Sequence, residues 1–155
     1  MSSPKENLIN AGIELPVPPK GVGAYVTWIK TGNLIVTSGQ LPWKDGVMAF
    51  PGKCGKELDI PTGYQAARLC AVNAIAQIND AVEGDLGRVN QIVRVEGYVH
   101  TAPGFRGHPD VLNGASDLFN EIFGDKGIHV RVALGIDEMP LDAAVQIVVW
   151  AEVRS

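Results

Sequence analysis

The stretch whose reading decides the fold runs His129-Val130-Arg131-Val132-Ala133-Leu134-Gly135-Ile136, then Asp137-Glu138-Met139-Pro140, then Ala143-Ala144-Val145-Gln146-Ile147-Val148-Val149-Trp150. Both outer segments alternate with the period of a strand, and the acidic, proline-containing segment between them breaks the pattern. The stretch therefore reads as two strands joined by a tight connection. In the first, Val130, Val132, Leu134 and Ile136 share one face, and His129, Arg131, Ala133 and Gly135 share the other. In the second, Val145, Ile147, Val149 and Ala151 point one way, and Ala144, Gln146, Val148 and Trp150 the other. This reading puts Arg131 and Gln146 together, on the face turned away from the aliphatic core. Two roles for Arg131 follow from its chemistry. It pairs with Glu96 or Glu152 on the same face, or its guanidinium fork holds a carboxylate ligand, whose two oxygens match paired N–H donors. Pattern alone leaves both open.

The rest of the chain can be placed outward from that stretch. Tyr64, Ala67, Ala71, Ala74, Ile75, Ile78 and Val82 recur at helical spacing after Thr62, whose distance to Gln65 suits a capping box, and Gly84 closes the helix. A second helix runs from about Asp110 to Phe123, with Val111, Ala115, Leu118, Phe119 and Ile122 inward and Gly124 and Gly127 at its end. Between them, Gln91 to His100 is a strand with Val93, Val95 and Val99 on one side and Arg94, Glu96, Tyr98 and His100 on the other. Upstream, Ala24 to Lys30 and Leu34 to Thr37 make a hairpin around Thr31-Gly32-Asn33. Residues 43–60 are surface loop with a short strand at Val47–Phe50. Residues 1–20 form an N-terminal arm, set off by Val17-Pro18-Pro19-Lys20-Gly21, and 21–155 a single domain. The order β-β-β-α-β-α-β-β is that of an α+β fold, a mixed sheet with two helices on one face. Its other face carries Arg94, Glu96, Tyr98, Arg131, Gln146, Trp150 and Glu152. Aromatic bulk beside charges, with no helix to cover them, points to a second subunit.

Composition narrows the function. With 155 residues, 46% hydrophobic and 19% charged, the chain can bury a core of its own. No apolar run reaches the roughly 18 residues of a membrane span, and the N-terminus lacks the charged-then-apolar pattern of an export signal. The cytoplasm is the expected compartment and no membrane partner is expected. A net charge of −4 gives no electrostatic reason to expect nucleic acid. Cys54 and Cys70 have no metal-ligand spacing; Cys70 reads as a buried helix residue and Cys54 as exposed in a glycine-rich loop. His100 and His108 read as surface or capping residues. His129, two positions before Arg131 and on its face, is kept as a site neighbour.

The segments Gly23-Ala24-Tyr25-Val26 and Leu34-Ile35-Val36-Thr37-Ser38-Gly39-Gln40-Leu41-Pro42, Asn113, and Arg131 followed by Met139-Pro140 and the last strand resemble the Rid family. These are the reactive intermediate deaminases, also called YjgF-like and L-PSP endoribonuclease-like. The likeness runs in order from about residue 21 to the end. The longer arm and Tyr64-Gln65-Ala66-Ala67-Arg68 mark a divergent subgroup. The resemblance implies a chorismate-mutase-like fold and a homotrimer with a ligand cleft between neighbouring subunits. It implies that Arg131 grips a substrate carboxylate, that Tyr25, Ser38, Gly39, Asn113 and Ala133 line the same cleft, and that no metal or organic cofactor is used. Active relatives hydrolyse 2-imino or enamine acids such as 2-aminoacrylate to 2-oxo acids and ammonia, a 2-iminobutanoate/2-iminopropanoate deaminase-type reaction. Their last strand holds a glutamate that positions or activates the water, and here that place is Gln146. An amide orients water but cannot take its proton. A binding module without catalysis, and an endoribonuclease or translation-inhibitor activity, are the alternatives the resemblance carries.

Overall fold

A computed structural model describes residues 2–21 and 23–155; Met1 of the arm lies outside them. The elements in order are helix α1 (Pro4–Asn10), strands β1 (Trp28–Thr31), β2 (Leu34–Thr37), β3 (Trp43–Lys44) and β4 (Val47–Met48), helix α2 (Ile60–Ala81), strand β5 (Val89–His100), helix α3 (His108–Phe123), and strands β6 (Val130–Ile136) and β7 (Val145–Val153). Five strands form one mixed sheet in the order β1-β2-β7-β5-β6, and β3 and β4 make a separate hairpin. This is the expected α+β fold, with α2 and α3 packed on one face. Ala66, Ala67, Cys70, Ala71 and Ala74 are fully buried along α2, and such small side chains let it lie close to the sheet. The two helices touch at Gly114, where a Cβ would stand 2.0 Å from the Tyr64 carbonyl oxygen. No helix among the described residues is long and apolar enough to cross a membrane.

The sheet corrects the tight hairpin. β6 does not pair with β7. It runs parallel to β5 at the sheet edge, while β7 lies antiparallel between β2 and β5. Residues 137–144 reach past the end of β5, a lateral step of about 10 Å that two strand spacings require. Leu141 and Asp142 take positive φ angles (59° and 57°) in that turn.

The register also reverses the expected face of β6. Arg131 stands opposite Val95, Ala133 opposite Gly97 and Gly135 opposite Val99, and Val95 and Val99 are buried beneath the helices. Arg131, Ala133 and Gly135 are therefore on the helix side. The aliphatic set faces the uncovered side, where Val130 is 61% and Leu134 53% exposed. The reason is position: α3 covers the edge strand only in part, so polar and small residues are tolerated beneath it. Gln146, opposite Tyr98, is on the uncovered face. Arg131 and Gln146 do not share a face.

Smaller corrections follow the same logic. The register shifts between Ile92 and Arg94, so Ile92 is buried and Val93 is 38% exposed; a bulge restarts the alternation. The first strand begins at Trp28 instead of Ala24, and the β3–β4 hairpin replaces the single strand expected at Val47–Phe50. Asp59, not Thr62, caps α2, accepting from the Thr62 N–H at 2.9 Å, with Pro61 in the first turn. Cys54 is buried, not exposed, and burial pushes its thiol up to about 11. His100 is buried too, its Nδ1 3.2 Å from the Gly52 carbonyl oxygen. His108 opens α3 with its ring edge-on to Phe105. The arm is more than a tail: Ser3 and Glu6 form a capping box on α1, and Leu8 enters the core.

Candidate functional site

Two groups of expected site residues form, on opposite sides of the sheet. The first surrounds Arg131. Its Nη1 donates to Asn113 Oδ1 at 2.9 Å and to Ser116 Oγ at 3.0 Å. Asn113 and Ser116 are three residues apart on α3, so one side of the helix presents both to the edge strand. His129 completes the group: its Nε2 is 2.8 Å from Ser116 Oγ and its Nδ1 2.6 Å from the Gly127 carbonyl oxygen. Burial, then the nearby Arg131 charge, lowers the His129 pKa; its bond to Gly127 pulls the other way. Ala133, two residues along β6, packs against the core beside this group.

Arg131 has no carboxylate partner among the described residues. Glu96, one expected partner, is engaged on the far face, 3.3 Å from Arg94 Nε and 2.9 Å from the Tyr98 hydroxyl. Arg94 also lies 5.7 Å over the Trp150 ring. The ion-pair role belongs to Arg94. Arg131 keeps Nε and Nη2 clear of any acceptor among the described residues, which leaves one edge of the guanidinium able to receive an anion.

The second group gathers at the end of β2. The Ser38 N–H donates to the Thr27 carbonyl at 2.9 Å, and its hydroxyl donates to the Val26 carbonyl at 2.5 Å. Gln146 lies directly over Gly39, where a Cβ would come within 1.8 Å of Gln146 Oε1. Any larger residue there would displace the Gln146 side chain from this position. The Gln146 amide donates to Met139 Sδ at 3.5 Å. The Tyr25 ring lies against Gly21 and Gly23, and Tyr25, Ser38 and Gly39 line one cleft with Pro19, Gly21 and Trp43. Helix α2 holds this wall from beneath. Asn73 donates to the Leu41 and Trp43 carbonyls, and Gln77 donates to the Pro19 carbonyl at 2.7 Å. Buried Gln40 donates to the Ser38 carbonyl.

Thus Tyr25, Ser38, Gly39 and Gln146 come together, Arg131, Asn113 and Ala133 come together, and β5 with the thickness of the sheet separates the two sets. Ser116 is not singled out by the apolar pattern. Its spacing of three from Asn113 is the signal that finds it. Among the described residues no group of three metal-ligating side chains forms.

The family model described as "YjgF/chorismate mutase-like, putative endoribonuclease" matches residues 5–153. The chain belongs to the YjgF family. Protein TCP17 of Trypanosoma cruzi is 36% identical over 96% of this chain and 93% of its own length. A crystal structure from Shewanella oneidensis, described as a "putative endoribonuclease", is 38% identical, with a TM-score of 0.95 over 98% of this chain and 100% of that one. The YjgF gene product of E. coli shares the fold at 22% identity and a TM-score of 0.63, covering 89% of this chain and 94% of its own.

Proposed function

We propose that this YjgF-family chain binds small 2-oxo or 2-imino carboxylates in clefts between the protomers of a cytoplasmic homotrimer. Arg131 of one protomer meets the Tyr25, Ser38, Gly39 and Gln146 wall of its neighbour. One observation carries the reading. A half-buried guanidinium is fixed by two neutral acceptors through a single nitrogen, leaving its other N–H groups for an anion. The opposed faces of the two groups favour a site completed by a second copy, and so does the exposed apolar band of Val130 and Leu134. Titration calorimetry with 2-oxobutyrate and its primary amide tests this directly. The acid binds and the uncharged amide binds roughly tenfold or more weakly, since a charge-assisted hydrogen bond is lost. Equal affinity for the two overturns the reading.

Chemistry at the cleft turns on Gln146. Its amide can hold a water by hydrogen bonds but cannot accept and return a proton, so imine hydrolysis by this chain is weak or absent and carboxylate binding is the retained function. Gln146→Glu restores a proton acceptor over Gly39 and raises 2-iminobutanoate hydrolysis on the order of 10²-fold or more, the usual contribution of general base catalysis. A wild-type rate already matching the glutamate variant removes the glutamine from the explanation. Ribonuclease activity, which the family description names, has less support: the net charge is −4, and the described histidines do not pair.

A further inference from the structure

We infer that Ser116 and His129 are positioning residues that fix the rotation of the Arg131 guanidinium and so choose the edge it offers to a carboxylate. The inference rests on the carboxylate-binding reading above and deepens it, adding His129 and giving Ser116 a relay role between the arginine and the histidine. With the His129 ring neutral, the chain of hydrogen bonds has only one direction. A guanidinium can only donate, so Ser116 Oγ accepts from Arg131 Nη1 at 3.0 Å. A backbone carbonyl can only accept, so His129 Nδ1, 2.6 Å from the Gly127 oxygen, carries a proton. A neutral ring protonated there has a bare lone pair on Nε2, and the Ser116 hydroxyl proton is directed at it across 2.8 Å. Arginine, serine, histidine and carbonyl each have one role, and the serine cannot turn without breaking the order.

The far end of the chain is rigid. A Cβ on Gly127 would stand 2.2 Å from the Phe119 carbonyl oxygen, so this turn is pressed onto α3, and the Phe119 ring meets His129 edge-on at 5.9 Å. Arg131 is therefore anchored to α3 twice, directly by Asn113 and through Ser116 and His129. Asn113 is exposed, whereas Ser116 and His129 are half-buried and better shielded from competing water. With both Nη1 protons committed, the guanidinium presents its Nε and Nη2 donors, the side-on fork that meets both oxygens of a carboxylate. The lowered His129 pKa agrees with a ring held neutral in this order.

The test combines affinity with a signal from the histidine ring. Ser116→Ala and His129→Leu weaken 2-oxobutyrate by roughly three- to tenfold, the effect of losing one neutral hydrogen bond, and Ser116→Thr, which keeps the hydroxyl, recovers the affinity. Nitrogen NMR of His129 reports the coupling itself. Saturating 2-oxobutyrate shifts the Nε2 resonance in the wild type and leaves it unmoved in Ser116→Ala. Wild-type affinity in both Ser116→Ala and His129→Leu overturns the inference, as does an Nε2 shift that survives removal of the serine hydroxyl. Failure of the carboxylate reading looks different, because the wild type itself then does not bind.

Discussion

Arg131→Ala removes 2-oxobutyrate binding and leaves the fold standing. Truncating one partner of a desolvated charge contact costs about 2–5 kcal/mol, roughly thirty- to several-thousandfold in affinity, so calorimetry under conditions that saturate the wild type registers no heat. The fold survives because Arg131 stands on the edge strand, bonded to exposed Asn113 and to Ser116, and contributes nothing to the aliphatic core. Arg131→Lys separates charge from geometry. A lysine keeps the positive charge but cannot offer two parallel donors in one plane, so its affinity falls between the two. Unchanged binding in Arg131→Ala would falsify the proposed site, and a melting curve shared by wild type and variant excludes a folding defect as the cause.

The sequence was most legible where its local pattern had a single physical outcome. The inward residues of α3, Val111, Ala115, Leu118, Phe119 and Ile122, are all buried, because a long stripe at helical spacing can satisfy only one burial arrangement. Alternation along β7 likewise put Val145, Ile147, Val149 and Ala151 inside. The same rule misled at β6, since a period of two gives the two faces of a strand but not which one the helices cover. Only the parallel register with β5 settles that, and it depends on the path through α3. The connection to β7 failed for a related reason: Asp137 to Pro140 carries turn chemistry, which a hairpin and a step across an intervening strand share. At α2 the helix starts earlier than the expected Thr62 cap, at Asp59, because Pro61 fits the first turn of the helix that Asp59 opens. The family likeness implied a cleft between neighbouring subunits that holds Arg131 and Gln146, and the separation of their faces within one chain is what the proposed intersubunit site expects.

In the proposed homotrimer, mixing two inactive variants restores binding that neither has alone. Arg131→Ala destroys the arginine half of every cleft. Gly39→Leu destroys the other half, because a branched side chain occupies the space in which Gln146 now lies, where even a Cβ would come within 1.8 Å of Oε1. Gly39 has an ordinary backbone conformation, so the lesion is confined to the cleft wall. Each variant trimer therefore titrates with no 2-oxobutyrate sites. In mixed trimers formed by refolding the two together, a Gly39→Leu protomer supplies an intact Arg131 to a neighbour whose Gly39 and Gln146 are intact. Random assortment around a closed ring of three restores about a quarter of the clefts, and calorimetry reads that stoichiometry with wild-type affinity at the restored sites. If both halves came from one chain, every cleft in the mixture would still carry one lesion and the titration would stay flat. Restored sites thus require that Arg131 and Gln146 act from different protomers, as the proposed site expects from their opposite faces on one sheet.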